Sequence, residues 1–248
     1  MAVAFRAAGS NVANITNQTL SLVAPTCYDD DILIACIINK ELSVAISPPD
    51  SSWTQIYQAN GDCTTAADDH RSAIFWKRAS TEDRGKTFNF TKASGTVLFM
   101  GNISSFSGCN PSNPIDTAPV GATVTAAAND LVTFPSFDPL SDQAHVIFVA
   151  FYGNDLTTFA AALSVDVNPD CTKRFDNESA SGNDASIALA SGLNDGSPIS
   201  SLTWASVSTT DAGSTGVVFA LIPKPVLFNN FKGITSSGSI MSVTERTM

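Results

Sequence analysis

Two stretches decide the fold: His145-Val146-Ile147-Phe148-Val149-Ala150-Phe151-Tyr152, and Lys86-Thr87-Phe88-Asn89-Phe90-Thr91. In an extended chain successive side chains point to opposite faces, so the second stretch puts Phe88 and Phe90 on one side and Thr87, Asn89 and Thr91 on the other. That is a strand with one face in a core and one in water. From Val146 to Phe151 the first stretch is apolar on both faces, as a central strand covered on each side must be. It is far shorter than the roughly 18 apolar residues that a membrane-spanning helix needs, and no longer apolar run of that kind occurs elsewhere.

Working outward, the same signals mark further strands at Ala2 to Phe5, Gln18 to Val23, Ile32 to Ile38, Trp53 to Gln58, Ser72 to Lys77 and Thr96 to Phe106. Others follow at Leu131 to Phe137, Ser186 to Ala190, Leu202 to Val207 and Thr215 to Ile222, about twelve in all, enough for two packed sheets. Turn residues separate them, as in Ser47-Pro48-Pro49-Asp50 and Asn168-Pro169-Asp170. One short helix is expected where Leu156, Phe159, Ala160 and Leu163 follow Asp155 as N-cap. No internal repeat is evident. Residues 1–222 read as one β-sandwich domain. Residues 223–248 read as a C-terminal arm in which Pro223 and Pro225 break the last strand and Phe228, Phe231, Ile234, Ile240 and Met241 alternate with small polar residues. The arm has too little apolar surface to fold alone and is expected to act by docking.

Charged residues make up 15% of the 248, and the formal net charge is −10 with a pI near 4.4. Such a field repels phosphate backbones and anionic membranes, which argues against nucleic acid and membrane insertion as partners. The amino terminus has no basic start followed by an apolar stretch, so no secretory leader is expected. Cys27, Cys36, Cys63, Cys109 and Cys171 show no C-x-x-C spacing. Cys36 reads as a core residue, and the other four are open to pairing in an oxidising medium.

Chemistry is hard to find in these residues. His70 and His145 lie in no metal-ligand spacing, and neither a G-x-S-x-G elbow nor a phosphate-cradling glycine loop occurs. Asp29, Asp30 and Asp31 precede a strand, where turn formation accounts for aspartate without a cation. No cofactor, no metal and no catalytic residues are expected, and the protein reads as non-catalytic. The one binding surface to weigh is a glycan face made by Trp53 and Tyr57 with the Asp68, Asp69, His70 loop, because aromatic rings stack on sugars.

An ordered series then runs from Ala4-Phe5-Arg6-Ala7-Ala8-Gly9 through Asp29-Asp30-Asp31-Ile32-Leu33-Ile34-Ala35 and Pro49-Asp50-Ser51-Ser52-Trp53-Thr54 to Ala73-Ile74-Phe75-Trp76-Lys77-Arg78-Ala79. It continues through Thr87-Phe88-Asn89-Phe90-Thr91 to Ile103-Ser104-Ser105-Phe106-Ser107-Gly108-Cys109-Asn110-Pro111 and Asn113-Pro114-Ile115-Asp116. Residues 4–116 thereby resemble a β-sandwich module of phage structural proteins and related prophage-encoded proteins, often encoded near tail genes. The second half resembles it more loosely, through the Val146 strand, Leu202-Thr203-Trp204 and Gly216-Val217-Val218-Phe219-Ala220. The resemblance implies an all-β, antiparallel two-sheet sandwich, jelly-roll-like, with the C-terminal arm added. It implies a virion structural protein assembled in the host cytoplasm, a capsid decoration or tail part whose partners are other virion proteins and further copies of itself. The alternative is a carbohydrate-binding adhesin that meets a host-surface glycan.

Overall fold

Among the described residues chain order sets down sixteen strands: β1 (Ala4–Ala8), β2 (Val12–Asn14), β3 (Thr19–Val23), β4 (Ile32–Asn39), β5 (Ile46–Ser47), β6 (Thr54–Gly61), β7 (His70–Arg78), β8 (Thr87–Lys92) and β9 (Phe99–Ser107) form the first half. The second half holds β10 (Val120–Val124), β11 (Leu131–Phe134), β12 (His145–Tyr152), β13 (Thr172–Ser179), β14 (Ala185–Leu193), β15 (Leu202–Ala205) and β16 (Ser214–Leu221). This computed structural model describes residues 2–63, 69–116, 119–124 (the backbone alone at 122–124), 131–153, 159, 163, 171–179, 184–205 and 213–225. Every pairing between these strands is antiparallel.

The expected all-β sandwich is present as two large sheets face to face, and each carries a small sheet on its outer side. The large sheets run β1-β9-β4-β7-β6, with β2 also on β9, and β10-β16-β12-β14-β13; the small ones run β3-β8-β5 and β11-β15. Between the large sheets lie Ile34, Cys36 and Ile38 of β4 against Ile147, Val149 and Phe151 of β12. The opposite faces of the same strands are buried too. Leu33, Ala35 and Ile37 meet Leu20, Leu22, Phe88 and Phe90 of one small sheet, and Val146, Phe148 and Ala150 meet Val132, Phe134 and Trp204 of the other. Four layers explain why β4 and β12 are buried throughout while β3 and β8 alternate.

The strand orders of the two halves are the same, which corrects the reading that the chain has no internal repeat. Within each half the central strand has two partners in one register, β7 and β9 for β4, and β14 and β16 for β12: Ile32 faces Arg78 and Phe106, and His145 faces Leu193 and Leu221. The match extends to irregular features. Asp30 and Gln143, each two residues before the central strand, have φ of 67° and 62°. Asp31 and Ala144, one residue later, each donate their backbone N–H three residues back, to Tyr28 and Ser141. Bulges fall at Ile56 in β6 and Arg174 in β13. Gly101 and Gly216 occupy one position in β9 and β16, and both are crowded. A Cβ on Gly101 would lie 3.0 Å from the Cys36 carbonyl and 3.1 Å from Leu20 Cδ2, and one on Gly216 would overlap the Thr133 carbonyl of the outer strand.

The halves meet through equivalent faces, related by an approximate two-fold axis. Arg174 of β13 lies over the Phe5 ring of β1 at 4.9 Å, and on the other side of the axis β6 and β10 meet at Tyr57 and Gly121. Equivalent residues meet at both ends: Lys40 donates its ammonium to the Gly153 carbonyl at 2.9 Å, and at the other end residues 108–110 pair with 222–224. Folded structure therefore continues past residue 222, since Lys224 N–H reaches the Gly108 carbonyl at 2.8 Å. The segment expected to be helical lies mostly outside the described residues. Phe159 and Leu163 are buried in the outer core of the second half.

Gly216→Ala is expected to cost about 1–3 kcal/mol by overpacking β16 against β11, measured as a lowered urea midpoint with an unchanged m-value. Gly85→Ala is the contrast: its Cβ would meet nothing, and only its φ of 72° is strained.

Candidate functional site

The side chains expected to make a glycan face are not together. Trp53 is 4% exposed and stands edge-on to Phe88 and Phe90 at 5.1 and 5.2 Å, so it closes the outer core of the first half and cannot stack on a sugar. This corrects its expected exposure, and the cause is that the turn before β6 must cover the apolar face of β8. Tyr57 is half-buried between the two large sheets, where burial raises its phenol above the ordinary value. His70 is fully buried, with Nε2 3.0 Å from Thr215 Oγ1 across the junction of the halves. Asp69 accepts the Cys63 N–H at 2.7 Å and ties its own loop, and Asp68 lies outside the described residues. Among the described residues no disulfide joins the five cysteines. Burial pushes Cys36 well up and Cys109 up to about 12.

The polar groups that are engaged hold the two copies of the fold, often by different chemistry at the same place. In the first half Gln58 accepts the Ile46 N–H at 2.7 Å and donates to the Ile46 carbonyl at 3.2 Å. At the same register in the second half Asp176 accepts the Phe159 N–H at 2.9 Å, while Lys173 donates to the Phe159 carbonyl and to Asp176, both at 2.7 Å. One amide side chain and one ion pair do the same work. A second exchange concerns the turn before the central strand. In the first half Asp31 accepts the Tyr28 N–H and is held by Arg6 at 2.6 and 3.1 Å. In the second half the position of Asp31 is Ala144, and Asp116, standing where Arg6 stands, accepts the Ser141 N–H directly at 3.1 Å. Nothing in the residue types alone announced these pairs, because a match between Gln and Asp or Arg and Asp is invisible without the register.

An open cleft of about 240 Å³ lies at the end where 108–110 pair with 222–224, lined by Arg6, Asp29, Asp30, Asp31, Gly108 and Lys224. Its carboxylates go to three separate partners: Asp29 to the Thr81 N–H and hydroxyl, Asp30 to Arg78 at 3.6 Å, and Asp31 to Arg6. Among the described residues no three His, Cys, Asp or Glu side chains converge as a metal site would require. Nearby, Lys77 and Asp83 pair at 2.5 Å with Asp83 3% exposed. Burial disfavours that carboxylate, but Lys77 and the Ser80 donors outweigh it and hold its pKa below the ordinary value.

Protein-family models, curated proteins and solved structures were compared with this chain, and none matches.

Trp53→Ala is expected to destabilise the fold by about 3–5 kcal/mol, the usual cost of emptying a core aromatic site, as read from denaturant unfolding. A stable, fully folded Trp53→Ala protein would return this residue to the list of surface candidates.

Proposed function

We propose that this protein is a non-catalytic structural component of a phage particle, one that acts by presenting a rigid surface and by assembling through its C-terminal segment. The observation that carries the reading is the knot at one end of the body. There Leu221 to Lys224 are hydrogen-bonded between residues 108–110 on one side and 114–116 on the other, so residues 226–248 continue from a fixed point on a stiff four-layer scaffold. A tail joined in this way suits a protein that must be held by a neighbour without disturbing its own core. Two further features support it. The polar groups described above are committed to turns and strand clamps, and the acidic net charge keeps a surface displayed in many copies soluble. The resemblance of residues 4–116 to phage structural modules supplies the particle. Attachment to the capsid is the reading we adopt over the tail, because the aromatic residues that would serve a receptor-binding face are in or near the core.

Quantitative mass spectrometry of purified particles is expected to find the protein in a copy number comparable to that of the major capsid protein. A number matching the few copies of a tail part would move it to the tail, and absence would overturn the virion reading. Deleting 226–248 should leave the unfolding midpoint unchanged and abolish incorporation into particles; normal incorporation of the truncated chain would remove the assembly role from that segment.

A further inference from the structure

The approximate two-fold shows what each core position asks for, because every position of the central interface is built twice. Where the first half has Ile32 at the start of its central strand, the second has His145. Where the first half has Ile56 at its bulge, the second has Arg174. Ile32 is wholly buried and Ile56 packs against the same core, so packing is satisfied by aliphatic side chains at both positions. His145 is 4% exposed, its ring centre 5.7 Å from that of Phe106 of the opposing sheet, and neither ring nitrogen has a hydrogen-bond partner. A histidine that makes no hydrogen bond, in a place its counterpart fills with isoleucine, is not there for stability.

We propose that His145 is a proton sensor built into the face between the two sandwiches, and that its protonation on acidification loosens that face. The groups around it explain why. On β9 it meets Phe106, and its register partners on β14 and β16 are Leu193 and Leu221, none of which can titrate. Beyond β14, on β13, Arg174 acts on it through its charge. Arg174 is held by Ser191, at 2.9 Å to Oγ and 3.3 Å to the carbonyl, and lies over Phe5. Among the described residues no carboxylate pairs with either. Protonation therefore adds a second cation within the field of Arg174, in an apolar layer, with no hydrogen-bond partner at either ring nitrogen.

Burial, and then the charge of Arg174, push the His145 imidazole down to about 4 from its ordinary 6.5. The folded protein stays neutral there while the unfolded chain takes up a proton below 6.5. The contribution to stability is thus complete above about 6.5 and is lost as pH falls toward about 4. A shift of this size changes the unfolding equilibrium by roughly two orders of magnitude across that window.

The test is denaturant unfolding of the full chain between pH 7 and pH 4, for wild type, His145→Leu and Arg174→Leu, with the two imidazoles followed by NMR. His145→Leu is expected to lose the acid-induced increase of roughly two orders of magnitude in the unfolding constant and keep only the change due to other groups, with His70 as an internal control. Arg174→Leu, which keeps the histidine, should raise the His145 titration point and shrink the acid effect. Should His145→Leu fold poorly, the wild-type titration decides alone: an imidazole for His145 titrating near 6.5, like a solvated one, overturns the proposal. So does a His145→Leu protein with the wild-type pH profile.

Discussion

The apolar face shared by the two large sheets is the constraint on which the rest of the structure depends. Ile34, Cys36 and Ile38 against Ile147, Val149 and Phe151 form one layer of core that neither half can complete alone. Burying it turns β4 and β12 into strands covered on both sides, because the outer faces must be closed as well, and the two small sheets close them. The commitment of Trp53 and Phe159 to the interior follows from the same demand: each covers the edge or turn of a small sheet that is only two or three strands wide. A single such sandwich with its large sheet open to water would expose a broad apolar face, and apolar patches of that size are covered in stable proteins.

Two-fold packing of equivalent faces is the arrangement of a symmetric dimer, in which residue i meets j and j meets i. Within one chain the partners need not be identical, and here they differ position by position. Gln58 and the Lys173–Asp176 pair show one clamp made by two chemistries. Arg6 with Asp31, against Asp116 alone, shows the carboxylate for one backbone N–H arriving from the opposite side of the turn. What is held constant in each case is the satisfied backbone group, which costs more to leave unpaired than any one way of pairing it contributes.

Much of this was legible in the sequence, and the part that was not has a physical cause. Strands with a strong pattern were readable almost to the residue: Thr87 to Thr91 by alternation, and His145 to Tyr152 by being apolar on both faces. The strands β2, β5, β10 and β13 were not. β13, Thr172–Ser179, is a sheet edge rich in charged and polar residues, which is how edges avoid pairing with other chains, and so it carries no hydrophobic signature. The duplication escaped notice because the halves share burial pattern and register and not residue identity: Ile-Leu-Ile-Ala-Cys-Ile-Ile-Asn and His-Val-Ile-Phe-Val-Ala-Phe-Tyr are one strand to a sheet and two to a reader of letters. Of the candidate surface, Asp69 could be read as a loop residue, but the exposure of Trp53 depended on which side of a turn the chain would fold over, and only the packing of Phe88 and Phe90 decides that.

Divergence between the halves also separates scaffold from function. Positions that the two copies fill with the same kind of residue, such as Gly101 and Gly216 or Phe5 and Ile115, answer to packing alone. Positions where one copy keeps an apolar residue and the other carries a titratable or charged one cannot be explained that way, since the apolar choice is shown to suffice by its neighbour across the axis. Ile32 and Ile56 against His145 and Arg174 are two such positions at the central interface. The cost of that exchange falls on the layer that holds the two halves together, so any condition that charges His145 acts on the interaction from which the rest of the fold is built.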